Sequence, residues 1–246
     1  MRNIMLIIAY DGTNYHGFQV QNKTSLKTIQ GTLERTLFIL TKEHTNVIGS
    51  GRTDAGVHAK RQVVNFNSAT RIPTEKLPLA LNSLLPADIV VREAYDVSNE
   101  FHSRYSAKKK TYCYTFFNDK VMDPCWRNFA YRVPMRLDIN EMKKACKEFE
   151  GQHDFRAFCA SNTTVRSFIK TIDYCSIKTE DKIIIFKVTG NGFLYNMVRI
   201  MGGTLLEIGQ GKRCAEDILR LLATGDRTKS GLTLPPQGLC LLAVDY

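Results

Sequence analysis

The eleven residues 49–59, Gly-Ser-Gly-Arg-Thr-Asp-Ala-Gly-Val-His-Ala, constrain this chain more than any other stretch. They follow a short apolar-leaning run, Thr45-Asn46-Val47-Ile48, and precede an alternating segment at 61–68 that reads as a strand. Three glycines, at 49, 51 and 56, let the backbone turn sharply or approach a ligand closely. Arg52 and Asp54 lie two apart, so an extended backbone would put both on one face. A guanidinium beside a carboxylate favours the ionised acid and fixes its orientation. Such a carboxylate suits chemistry on a substrate. The same residue types also suit a Gly-rich turn closed by an Asp side chain. A phosphate-binding loop is excluded. The third glycine of a Gly-x-Gly-x-x-Gly pattern is replaced by Asp54, which repels a pyrophosphate, and no Lys-Ser/Thr ending follows.

The rest of the chain predicts alternating elements. Residues 4–10 read as a buried strand ended by Asp11-Gly12-Thr13-Asn14, with Tyr15, His16, Phe18 and Gln19 on a loop. Leu26, Ile29, Leu33, Leu37 and Leu40 predict an amphipathic helix over 25–42. Pro73 opens a helix carrying Leu77, Leu81, Leu84 and Leu85, closed by Pro86, and 88–92 is a strand. Residues 112–117 read as another strand. The second half predicts a helix over 137–149, a loop holding Asp154-Phe155 and Phe158, and a strand pair at 166–178 and 183–189 around Glu180-Asp181-Lys182. A helix starts in the segment 193–199 and runs to about Ile208, a short helix covers 215–222, and a last strand covers 239–246. The pattern implies an α+β fold of two ferredoxin-like α/β sandwich halves with mostly antiparallel sheets, divided as 1–105 and 106–246.

Charge narrows the partner. The net charge of +10 points to a polyanion, nucleic acid before an anionic membrane. Lys108, Lys109 and Lys110 stand beside the aromatics Tyr112, Tyr114, Phe116 and Phe117. That juxtaposition suits phosphates and bases, and suits equally a solvated lysine run beside a half-buried strand. The seven cysteines are scattered with no Cys-x-x-Cys pair, and read as reduced, mostly buried thiols of a cytoplasmic protein. The apolar start is too short for a signal peptide, and no run is long enough to span a membrane. His58 and His153 lack Glu or Cys partners at ligand spacing, so each is expected to make a structural hydrogen bond and no metal is expected.

Residues 51–59, Gly-Arg-Thr-Asp-Ala-Gly-Val-His-Ala, resemble the active-site motif of the TruA family of tRNA pseudouridine synthases. Further likeness runs through 10–19 (Tyr-Asp-Gly-Thr-Asn-Tyr-His-Gly-Phe-Gln), Asn82 with Leu85-Pro86, 101–104, 110–114, 151–155, 192–199 and 238–246. Leu234 and Cys240 depart from the pattern, where a small residue and an aromatic are expected, and bear on the shape of the substrate pocket. The resemblance implies the pseudouridine synthase fold, a homodimer, no cofactor, and isomerisation of uridines 38, 39 and 40 of the tRNA anticodon arm. It implies that Asp54 is the catalytic carboxylate, that Arg52 pairs with it and replaces the flipped-out nucleotide, that Arg199 is a second basic partner, and that Tyr112 stacks on the target base. An RNA-binding module without catalysis, or a glycosidic hydrolase with a second carboxylate such as Glu75 or Asp88, would use the same residues differently. Unmodified tRNA distinguishes them: the products are isomerised uridine, a stable complex, or released uracil.

Overall fold

The computed structural model describes residues 1–21, 26–160 and 167–246. The chain forms two compact units, one made of 1–108 with 240–246 and the other of 109–239. The closing segment thus returns to the first unit, whereas the sequence reading put it in the second half.

The first unit holds β1 (Arg2–Tyr10), α1 (Ile29–Thr41), β2 (Ile48–Gly49), β3 (His58–Ser68), α2 (Leu77–Asn82) and β4 (Ile89–Val97). Strand β1 pairs antiparallel with both β3 and β4, and β2 pairs antiparallel with β3. This β-α-β-β-α-β order, with strands laid out 4-1-3-2, is two interlocked split β-α-β units, the ferredoxin-like connectivity expected. Ile4, Leu6 and Ile8 alternate along β1 and are fully buried. Helix α1 covers the core with Ile29, Leu33, Thr36 and Leu37, one face at helical spacing. The Thr28 side chain accepts from the Gly31 N–H at 3.2 Å and starts the helix later than predicted. Residue 25, where the predicted helix began, lies outside the described residues. Only one turn of 3-10 helix, Thr74–Lys76, precedes α2, which ends before Leu84 and Leu85.

The second unit holds β5 (Lys109–Phe117), β6 (Tyr131–Arg132), α3 (Ile139–Lys147), β7 (Gly151–Asp154), β8 (Ile169–Glu180), β9 (Ile183–Gly190), α4 (Met197–Gly209) and α5 (Glu216–Thr224). Its strands run β5-β9-β8-β7, all antiparallel, with β6 parallel to β5. The connectivity departs from the ferredoxin-like order because β7, β8 and β9 follow one another as a meander. Asp181, at φ 49°, closes the β8–β9 hairpin in the two-residue turn that such strands prefer. The expected loop around Asp154 and Phe158 is instead β7 and a 3-10 turn, Arg156–Phe158. Arg166, taken as the start of the strand before that hairpin, lies outside the described residues. Thr111 to Phe117 are all buried, and Tyr114 and Phe116 are core side chains with no exposure.

Strand β10 (Leu239–Asp245) pairs parallel with β3 in the first unit, Cys240 opposite His58 and Leu241 opposite Ala59. No helix among the described residues is long and apolar enough to cross a membrane.

Candidate active site

The loop between β2 and β3 is held at both ends before it reaches Asp54. On entry, the Ser50 N–H donates to the Val63 carbonyl at 2.8 Å, and the Ser50 hydroxyl donates to the Gln62 side-chain oxygen. The Gln62 amide in turn donates to the Gly51 carbonyl at 2.9 Å. Ser50 and Gln62 are fully buried, where such hydrogen bonds cost most to break. On exit, the Val57 N–H donates to the Asp54 carbonyl at 3.2 Å, closing a turn through Gly56 at φ 77°.

The segment after β1 grips the same loop from the other side. The Phe18 N–H donates to the Thr53 carbonyl at 3.0 Å, and the Tyr10 hydroxyl and Thr53 Oγ1 are 2.9 Å apart. The Gly56 N–H donates to the Tyr15 carbonyl at 3.3 Å, and the Gly12 N–H donates to His58 Nδ1 at 3.1 Å. A Cβ on residue 12 would lie 2.0 Å from the Val57 carbonyl oxygen, so only glycine permits this approach. Burial pushes the Tyr10 hydroxyl well above its ordinary pKa, so the phenol stays protonated and able to donate. The resemblance in residues 10–19 is therefore a framework for the loop.

Asp54 is half-buried between these fixed backbone points. Arg52 is exposed and makes no ion pair or hydrogen bond among the described residues, so it does not hold the Asp54 carboxylate. Residues 52–54 belong to no strand ladder. His58 is buried and makes the structural hydrogen bond expected of it. His153 does likewise, with Nε2 2.9 Å from the Glu150 carbonyl. Among the described residues no group of three or more His, Cys, Asp or Glu is placed to hold a metal ion.

Tyr112 and Arg199 belong to the second unit. Tyr112 lies on β5 opposite Val188, is 8% exposed, and packs edge-on against the Phe193 ring at 5.2 Å and 82°. Arg199 is in the first turn of α4. Its Nε donates to the Leu234 carbonyl at 2.6 Å and its Nη1 to Asn196 Oδ1 at 2.7 Å. The Leu234 N–H returns a bond to the Arg199 carbonyl at 3.4 Å. Leu234 thus holds the arginine through its backbone, which any residue could supply, while its own side chain is fully buried. Asn196, just before α4 at φ 59°, escaped the sequence reading as a site residue. Its signal was an Asn at a helix start after Gly190-Asn191-Gly192, a residue type that tolerates the left-handed region.

The lysine run divides. Lys108 is exposed. Lys109 and Lys110 open β5 and so point to opposite faces. Lys109 Nζ lies 3.3 Å from an Asp173 carboxylate oxygen. The three do not form one phosphate-binding row.

Comparison with known proteins places this geometry. The family model described as tRNA pseudouridine synthase matches residues 6–106 and 145–246, covering the pinned loop, its framework and the Arg199 helix. A tRNA pseudouridine synthase A of Caldicellulosiruptor bescii is 48% identical over 247 residues, covering all of both chains. The same name is carried by a protein of Thermoanaerobacter sp. (strain X514), also 48% identical over the whole of both chains. A solved archaeal box H/ACA sRNP Nop10-Cbf5 complex is similar over 82% of this chain and 43% of its own, at 14% identity and a TM-score of 0.37, too slight a likeness to carry an argument. Because the family match takes in both units and the relatives align from end to end, the chain belongs to the tRNA pseudouridine synthase family, isomerases that convert uridine to pseudouridine in tRNA.

Proposed function

We propose that this enzyme isomerises uridines 38, 39 and 40 of the tRNA anticodon arm, with Asp54 as its catalytic carboxylate. The observation that supports this best is the fixed backbone around Asp54: both neighbours, Thr53 and the turn to Val57, are hydrogen-bonded to other elements. Prior fixing of a reacting group lowers the entropy lost on reaching the transition state. The reaction breaks an N–C bond, turns the uracil and forms a C–C bond. Substrate and product are isomers, so no electrons or groups are exchanged with a cofactor. One ionised carboxylate serves by attacking the sugar, attacking the base or removing a sugar proton. The target base leaves its stack first. Arg52, exposed and without an internal partner among the described residues, suits the guanidinium that fills the vacated place. Tyr112 contacts the extruded base, and Arg199, oriented by Asn196 and Leu234, is the second basic group of the reaction.

Asp54→Asn tests the assignment. It keeps shape and removes charge and nucleophile. Phosphate contacts carry most of the affinity for RNA, so tRNA binding should stay near the parent value while pseudouridine formation falls below detection. Retained turnover would remove Asp54 from the chemistry. Joint loss of binding and thermal stability would make it a structural Asp in a Gly-rich turn. The family resemblance also supports a cytoplasmic homodimer. Light scattering should then give about twice the 27.9 kDa of one chain, and a single-chain mass at working concentration would refute the dimer.

A further inference from the structure

Cys146 on α3 and Cys175 on β8 are both fully buried, and the isomerisation uses neither. Their sulfurs are 2.7 Å apart, about 0.7 Å beyond the length of a disulfide bond. Cys175 is fixed on its strand: its N–H donates to the Glu150 carboxylate at 2.9 Å, and Glu150 pairs with Lys147 on α3 at 2.8 Å. Burial pushes the Cys175 thiol well up, which keeps it protonated at neutral pH and poorly reactive toward ordinary alkylating agents. The row containing Cys175 continues across the sheet through Val188 to Tyr112, so a bond at this point would tie α3 to the strands that carry Tyr112.

We propose that Cys146 and Cys175 form an oxidation site that closes to a disulfide linking α3 to β8. The co-reactant is a small peroxide, since the full burial of both sulfurs keeps out a bulky organic disulfide. One thiol sulfur attacks a peroxide oxygen as its proton passes to the leaving oxygen. The O–O bond breaks, a sulfenic acid forms, and the leaving oxygen departs as water. The second sulfur then attacks the sulfenic sulfur, the S–O bond breaks, and a second water leaves with the second thiol proton. Two thiols lose two electrons and two protons, and hydrogen peroxide becomes two waters. The link closes a loop across 29 positions of sequence and restricts the unfolded chain.

The test uses the full chain carrying Cys125→Ser and Cys214→Ser, which removes the two exposed thiols. After hydrogen peroxide, quenching, unfolding and alkylation, the intact chain should have lost two hydrogens, about 2 Da, with two thiols protected from alkylation. Digestion should release a cross-linked peptide joining Cys146 to Cys175. The melting midpoint should rise by several degrees, return with dithiothreitol, and not respond to peroxide in a further Cys175→Ala variant. Recovery of Cys146 and Cys175 as separately alkylated peptides, or a bridge from either to another cysteine, overturns the proposal. If the Ala variant does not fold, the peptide map of the parent variant decides the matter alone.

Discussion

Asn196 occupies the left-handed region at φ 59° and spends its side-chain oxygen on Arg199 rather than on capping α4. Most residues would be strained there, and Asn is among the few that are not. Asn196→Gly keeps the backbone and removes only the acceptor. A hydrogen bond to a charged group contributes about 1.5–3 kcal/mol, so turnover should fall roughly ten- to a hundredfold, with little change in melting midpoint. Asn196→Asp, which restores an acceptor, should recover much of the loss. Single-turnover pseudouridine formation measures both. A Gly variant at the parent rate would mean that the Leu234 carbonyl alone orients the arginine. At this scale the sequence singled out Asp54, because a lone carboxylate among glycines is conspicuous. It could not disclose Asn196, whose importance lies in a dihedral angle and a partner three residues along a helix. Nor could spacing alone decide whether Arg52 pairs with Asp54, since a shared face follows only where the backbone is extended.

Among the elements, those with a clear apolar pattern were legible. The apolar run of β1 and the four-residue steps of α1 each show one, and the burial follows it. Strand β7 has none: Gly-Gln-His-Asp carries no apolar residue and exists only through its ladder to β8. The loop carrying Asp54 shows a further kind of information, a contact between distant motifs that neither motif displays alone. Gly12 abuts the Val57 carbonyl, and Val57 closes the turn on Asp54. Gly12→Ala forces a methyl to within 2.0 Å of that oxygen, so the loop must yield. Overpacking of this kind costs about 1–3 kcal/mol. The displacement passes directly to Asp54, so kcat should drop more steeply than stability. Thermal melting beside steady-state kinetics separates the two. A folded Gly12→Ala enzyme with parental kcat would show that the framework does not set the position of the carboxylate.

For the whole molecule, strand propensity identified β10 but not its partner. A single strand pattern says nothing about which sheet edge receives it, and the parallel pairing to β3 joins residues more than 180 positions apart. Charge behaves in the same way: the excess of +10 was legible, its distribution was not. In sequence the three lysines are alike, but the alternation of β5 separates Lys109 from Lys110, and Lys109 pairs with Asp173. A lysine already paired within the protein has less positive charge to offer a phosphate, and must lose one partner to gain the other. Exposed Lys108 has no such cost. Lys108→Ala should therefore weaken tRNA binding and flatten its log-log salt dependence by roughly one unit, the change expected for one phosphate contact. Lys109→Ala should change the slope distinctly less, because the substitution removes one charge and unmasks the opposite one. Titrations of both variants over a range of salt, with the same unmodified tRNA, make the comparison. Equal slopes for the two would mean that Lys109 leaves Asp173 to meet the RNA. A Lys108→Ala protein with parental affinity and slope would make the exposed lysine a solvated charge rather than part of the tRNA site.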